Sequence, residues 1–265
     1  MATIGPEFLL LGTRQDQGTW TVTVSPAADP SFPIANILEP GMAKVYQSLP
    51  GDDTVTIDID RGAGTLPEMA GIVLFGLGVE PNSAITVQSS SGPSFATLGV
   101  NITTTSVDLS GCGSQPFRPP WGDTCAVVFS STTAHRYLRV VLATVEGGSI
   151  RVAGIVGSGY WQHSANHEID LGYAPEGALR SQVSPRDPRY VFFGMDIPVA
   201  ADAQNISRGL GSFGRFAWVP SPADRTTYAN TAGYGTFKEP PREVAAAGSG
   251  GKWRVTTMAF LEATR

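Results

Sequence analysis

The feature that most constrains this chain is a succession of short runs rich in Val, Ile, Thr and aromatic residues, cut apart by Gly, Pro, Ser and Asp. Trp20–Val24 alternates with period two, and so does Thr54–Asp60, where Val55, Ile57 and Ile59 share one side and Thr56, Asp58 and Asp60 the other. Period two puts successive side chains on opposite faces, the pattern of a half-buried strand. Ile72–Phe75 and Cys125–Phe129 are short, continuously apolar runs, the form of a fully buried strand. Ile85–Val87, Tyr137–Leu142 and Ile150–Ile155 complete the set. Runs at intervals of roughly 8–12 residues predict a sandwich or barrel, here a jelly roll of about eight strands over residues 20–156.

The composition shifts near residue 157. Gly157–Asn166 has no periodicity and reads as a connector, and Ser184–Pro188 is a second break. Beyond it, Tyr190–Phe193, Arg215–Val219, Gly233–Phe237 and Trp253–Leu261 read as strands. Between the first two, Val199, Ala203, Ile206 and Leu210 recur at helical spacing, and Gly209 and Gly211 mark the end of that helix. Ala245–Gly251 reads as a flexible loop.

In 265 residues, Gly 31 and Pro 20 favour many turns over long helices. With 15% charged and 42% hydrophobic residues, the chain has material for a core and too little charge for disorder. A net charge of −5 with scattered Arg excludes a non-specific nucleic-acid binder, which needs a clustered positive footprint. The longest apolar stretch, Met69–Val79, has about half of the ~20 residues a spanning helix needs. Phe8–Leu11 is apolar, but it has no basic residue before it and Glu7 beside it, a poor secretory signal. A soluble, unexported chain is expected, with no membrane insertion.

The order of motifs is more telling than any one of them. Ser31–Leu38 (SFPIANIL) is followed by the strand Val55–Asp60 (VTIDID), then Met69–Phe75, then Arg136–Val141 (RYLRVV) and Ile150–Gly157 (IRVAGIVG). This series resembles the galactose-binding-like (discoidin-type) jelly roll. In that family a P-x-N-L entry precedes a strand of the I-D-L-G kind, and a late R-Y-(I/L/W)-R-(I/V) strand pairs back into the core. Arg61-Gly62 departs from the pattern, which has an apolar residue before the Gly. More narrowly, the chain is similar to the version found in structural proteins of tailed bacteriophages, where the jelly roll precedes a smaller β domain. The helix, Phe216–Pro220 with Asp224, Tyr234-Gly235 and a last strand ending at Glu262 match that partner. The expectation is an all-β fold: a galactose-binding-like jelly roll over 1–157, a linker over 158–189, and a small β domain over 190–265 with a helix near 199–210.

Catalytic signatures are few. The sequence contains no G-x-S-x-G elbow, Walker loop, G-x-G-x-x-G or H-E-x-x-H. Gly76-Leu77-Gly78 and Gly111-Cys112-Gly113 are bare G-x-G pairs and read as turns. A Ser-His-Asp triad would need His135, His163 or His167 as its base, and His135 reads instead as an exposed loop residue before a strand. His163 and His167 would share a face on a helix and hold a metal, but they lie in the connector and read as polar loop residues. Asp52-Asp53 offers oxygen ligands for Ca²⁺, against the simpler reading of a solvated turn. No metal or cofactor is expected. Cys112 and Cys125 bracket a Pro-rich loop; a disulfide there would be worth about 3 kcal/mol, while assembly in a cytoplasm would leave both thiols reduced.

The most functional-looking stretch is Ser110–Asp123. Phe117, Arg118 and Trp121 are residue types that interfaces concentrate as anchors, Asp123 adds a carboxylate, and the prolines lower the ordering cost of binding. Such a loop suits a sugar or a neighbouring subunit, and Trp121 is equally suited to capping the core. The resemblance implies a non-enzymatic structural protein of the virion, a tail-tip, distal-tail or baseplate adaptor assembled in the host cytoplasm. Its partners would be copies of itself and other tail proteins. The alternative is a carbohydrate-binding module for a host surface glycan, with Arg118 and Trp121 in the site.

Overall fold

The computed structural model describes residues 8–12, 20–38, 44–79, 83–105, 125–144, 149–157, 159–163, 167–170, 189–210, 215–219, 233–245 and 253–262. The chain is all-β, as expected. Strand β1 (Phe8–Leu11) belongs to a sheet otherwise built from the far end of the chain. The jelly roll follows. β2 (Thr21–Ser25), β3 (Tyr46–Gln47), β4 (Thr54–Asp60), β5 (Met69–Phe75), β6 (Ala84–Ser90) and β7 (Leu98–Thr105) form its first part. β8 (Cys125–Thr133), β9 (Tyr137–Ala143), β10 (Arg151–Val152) and β11 (Gly154–Val156) complete it. One sheet runs β2-β4-β9-β6-β7, a second β11-β5-β8, and β3 pairs with β10.

The alternation read from β4 is realised: Val55, Ile57 and Ile59 face the core with Leu138, Val140 and Leu142 of β9 and Ile85 and Val87 of β6. The second sheet closes this core with Ile72, Leu74, Val127 and Phe129. Every residue of β5 is buried. Its continuous apolar run is explained by its place in a middle layer, because Ala70, Val73 and Phe75 face away from the jelly-roll core into a second cluster.

That second cluster joins the jelly roll to a seven-stranded antiparallel sheet. Its further strands are β12 (Tyr160–His163), β13 (His167–Asp170), β14 (Arg189–Asp196), β15 (Phe216–Val219), β16 (Gly233–Ala245) and β17 (Trp253–Glu262), in the order β12-β1-β15-β16-β17-β14-β13. The two edge strands are successive in sequence. His163, on β12, and His167, on β13, are four residues apart and so at most about 14 Å apart. Across a flat sheet in this order they would be separated by spacings of about 4.8 Å per strand, about 29 Å in all. The sheet must therefore curl strongly, toward a barrel, and bring its two edge strands, β12 and β13, near each other.

Leu11, Ala217 and Tyr234 lie on the outside of this barrel, against Phe75, Val73 and Val156; the Phe75 and Tyr234 rings stack at 3.8 Å. Alternation then puts Leu10, Phe216, Trp218, Phe237, Met258 and Phe260 inside, where they pack with Ala200 and Ile206 of helix α1 (Ile197–Leu210). Phe216 and Phe237 are 4.6 Å apart, Trp218 and Phe260 4.9 Å. Asp196 stands just before α1 and Pro198 in its first turn, where a missing N–H costs nothing.

Residues 160–163 and 167–170 thus differ from the connector expected over 158–189. Four-residue strands carry too few alternations to show a period, and the partners that pair them come from residues 8–11 and 189–192. Among the described residues, no helix is long and apolar enough to cross a membrane.

Candidate functional site

The register shows which connections share an end of the sandwich. Thr54 of β4, Ala143 of β9, Ala84 of β6 and Thr105 of β7 line up across one sheet, and Leu74 of β5 pairs with Cys125 of β8 in the other. The connections 26–53, 76–83, 106–124 and 144–150 therefore all leave from this end. Phe117, Arg118, Trp121 and Asp123 belong to the third of these and lie outside the described residues, as does Cys112. Cys125, which opens β8, is buried.

The described part of this end is a braced platform. Ser48 N–H donates to the Ile150 carbonyl at 2.9 Å and Ile150 N–H to the Ser48 hydroxyl at 3.0 Å. Asp29 N–H donates to Gln47 O, Thr144 N–H to Asp53 O, and the Asn36 amide to Val45 O at 2.7 Å. On this platform Phe32 is 37% and Leu49 42% exposed, high for such large apolar side chains. Carboxylates stand beside them: Asp29 accepts from Ser31 N–H at 2.8 Å and Asp52 from Leu49 N–H at 3.0 Å. Gly51, at φ +89°, makes the Pro50–Asp53 turn possible, so the turn reading of Asp52-Asp53 matches the backbone. Below, the Tyr46 hydroxyl is pushed up to about 12, first by burial and then by the negative charge of Asp52.

At the opposite end, His135 is not the exposed loop residue read from the sequence. Its ring lies over Gly99, where a Cβ would come within 1.9 Å of it, and its Nδ1 is 2.9 Å from the Ser89 hydroxyl. That serine is fully buried and already accepts Val100 N–H at 3.0 Å. The contact ties β6 and β7 to the β8–β9 connection. Arg61, the departure from the family pattern, is buried and donates to the carbonyls of His135 at 3.0 Å and Pro67 at 2.7 Å. It fastens the β4–β5 connection to the β8–β9 connection. His163 and His167 lie on strands, so the helical spacing that would bring them onto one metal does not arise.

A third feature was not singled out in the sequence. The outer face of the five-stranded sheet carries a row in register: Thr23, Asp58, Arg139, Gln88 and Asn101. Arg139 grips Asp58 with two hydrogen bonds, 2.7 and 2.9 Å, and Gln88 donates to Asn101 at 3.2 Å. One step along, Arg136 holds Asp60 at 2.6 and 2.7 Å. Hydrogen bonds from Arg136 hold the Asp60 carboxyl below the ordinary carboxylate range, and those to Asp58 raise Arg139. The signal was the pair of Asp on the polar side of β4 and the two Arg around β9, but their register is set by folding.

No family model matches this sequence, and no curated protein matches it. Among solved structures, it is similar to a GH29 fucosidase of Ruminococcus gnavus in complex with fucose, at 15% identity over 56% of this chain and 27% of that one, TM-score 0.40. It is also similar to the family 32 CBM from C. perfringens NanJ in complex with galactose, at 11% identity over 58% of this chain and 99% of that one, TM-score 0.39. A third is the lectin binding domain of Lectinolysin complexed with Lewis b, at 10% identity over 56% and 98%, TM-score 0.40. The chain spans about a quarter of the fucosidase it matches. At these identities and TM-scores the likeness assigns no function.

Proposed function

We propose that this chain is a non-catalytic carbohydrate-binding protein whose loop end holds the glycan. The observation that carries this is the braced platform at that end, with exposed Phe32 and Leu49 beside Asp29 and Asp52. A sugar offers an apolar C–H face and a ring of hydroxyls. An exposed apolar surface takes the first and fixed carboxylates accept from the second. This reading includes Phe117, Arg118, Trp121 and Asp123, two aromatic and two charged residues of the connection 106–124, which leaves from the same end. The carboxylates of Asp58 and Asp60 are engaged by arginines, which suits holding a ligand better than acid–base work.

The test is titration of the purified protein with galactose- and fucose-containing oligosaccharides. Saturable binding, weakened at least tenfold by Trp121→Ala or Phe32→Ser, is expected. Absence of binding, or binding that both variants retain, would overturn the reading.

A second reading, a structural adaptor of a tailed-phage virion, is favoured by one observation. Leu98 of β7 is 37% and Val244 of β16 65% exposed, apolar side chains outside the loop-end platform. Copies of the chain and other tail proteins would cover them. Decoration of purified virions by an antibody to this protein, seen by negative stain, is the expected result under that reading.

A further inference from the structure

We propose that β7 is a self-association edge, to which the β7 of a second copy of this chain adds as an antiparallel strand about a two-fold axis. β7 ends the five-stranded sheet, and among the described residues no strand pairs with its outer side. Its register with β6 tells which backbone groups face outward. Val100 N–H donates to the Ser89 hydroxyl of β6, so Val100 points its backbone at β6. In an antiparallel strand the N–H and C=O of one residue leave on the same side, and successive residues alternate. Asn101, Thr103 and Thr105 therefore turn theirs to the free edge. The side chains agree. The Thr86 and Thr103 hydroxyls meet at 2.9 Å and Gln88 donates to Asn101 at 3.2 Å, the close approach of pairs that exchange no backbone bonds.

Two observations point to a strand, and to this strand, as the occupant. First, edges that stay free carry charge, proline or a bulge. β16 pairs with β15 only at Gly233, Tyr234 and Gly235, and beyond them it carries Lys238, Pro240, Pro241 and Arg242. β2, the other edge of the five-stranded sheet, has five residues and is followed at once by Pro26. β7 has its irregularity at one end, opposite Ser89 and Ser90. Residues 100–105 (VNITTT) carry neither charge nor proline and are rich in β-branched side chains. Second, that segment is complementary to itself. A two-fold axis at Ile102 sets Asn101 opposite the partner's Thr103, and Thr103 opposite the partner's Asn101. All of these residues present N–H and C=O outward, so each pair exchanges two backbone bonds. Ile102, partly buried against the jelly-roll core, then meets the partner's Ile102 on the core side. No like charges come opposite one another. The two sheets become one continuous sheet, and this holds whether or not the loop end takes a glycan.

The experiment is sedimentation velocity of the full chain over a dilution series, with hydrogen exchange followed residue by residue. We expect a closed species of twice the single-chain mass that dissociates on dilution. Within it the Asn101 and Thr103 amides should exchange at least tenfold more slowly than in the diluted monomer. Thr103 is exposed, so Thr103→Lys should fold as the parent does and place a charge on the edge. Thr103→Pro removes only an outward N–H and spares the ladder to β6. Both variants should be monomers with the circular dichroism of the parent, and Thr23→Lys on β2 should remain a dimer. A monomer throughout the series overturns the proposal. So does a dimer that survives both Thr103 variants, a dimer whose Asn101 and Thr103 amides exchange as in the monomer, or growth into open-ended polymers, which a two-fold pairing forbids.

Discussion

Asp60 and Arg136 show how a single residue ties stability to pH. The bonds from Arg136 keep the Asp60 carboxyl ionised below its ordinary range. A carboxyl depressed in the folded state stabilises above the unfolded value, about 3.9, and that contribution fades as pH falls through the folded value. Asp60→Asn should therefore lower the melting temperature slightly at pH 7, and the gap to the parent should close below pH 4. Melting curves from pH 7 to pH 2.5 check this. The effect is small because both side chains are about a third exposed. Gly76 is a harsher case. It sits at φ +59°, and a Cβ there would come within 2.3 Å of the Ala153 Cβ. Gly76→Ala should cost more than about 2 kcal/mol in urea unfolding, since backbone strain and overlap add. The turn there was legible from Gly76-Leu77-Gly78; the close approach of Ala153 was not, because nothing local to Gly76 announces its neighbour.

Among the elements, β5 was the easiest to foresee and the most consequential. Its unbroken apolar run signalled burial on both faces, and the structure supplies a core on each side. Leu74→Ala, toward the jelly-roll core, and Phe75→Ala, toward the barrel, should each cost about 2–5 kcal/mol in chemical denaturation. Both should shift one shared transition rather than split it. α1 was equally visible, because a 3.6-residue period over fourteen residues survives any context. β1, β12 and β13 were not legible as a sheet. Each has four residues, and what makes them strands is pairing with one another's distant neighbours. β7 was passed over for a different reason: LGVNITTT is poor in large apolar residues, as an edge strand facing water on one side can be. The same division holds for the candidate sites. Phe117, Arg118, Trp121 and Asp123 stand out by composition within one loop, whereas the Asp58–Arg139–Gln88–Asn101 row joins three separate parts of the chain and exists only in register.

At the scale of the molecule, the layers are interdependent. Residues 20–157 expressed alone would bare Ala70, Val73, Phe75 and Val156, the surface now covered by Leu11, Ala217 and Tyr234. That fragment should bind the dye ANS and melt well below the full chain, whereas the full chain should give a single calorimetric peak. Two well-separated peaks would contradict a shared core. The place of β1, between β12 and β15, bears on synthesis. Phe8–Leu11 is synthesised before both of its lateral neighbours, which follow it by more than a hundred residues. The jelly roll is complete in sequence by Val156 and is free to form while translation continues. In the nascent chain Phe8–Leu11 has neither lateral partner until residues 160–163 and then 216–219 have been made. Chaperone dependence during translation, more than after release, is the behaviour such a delay implies.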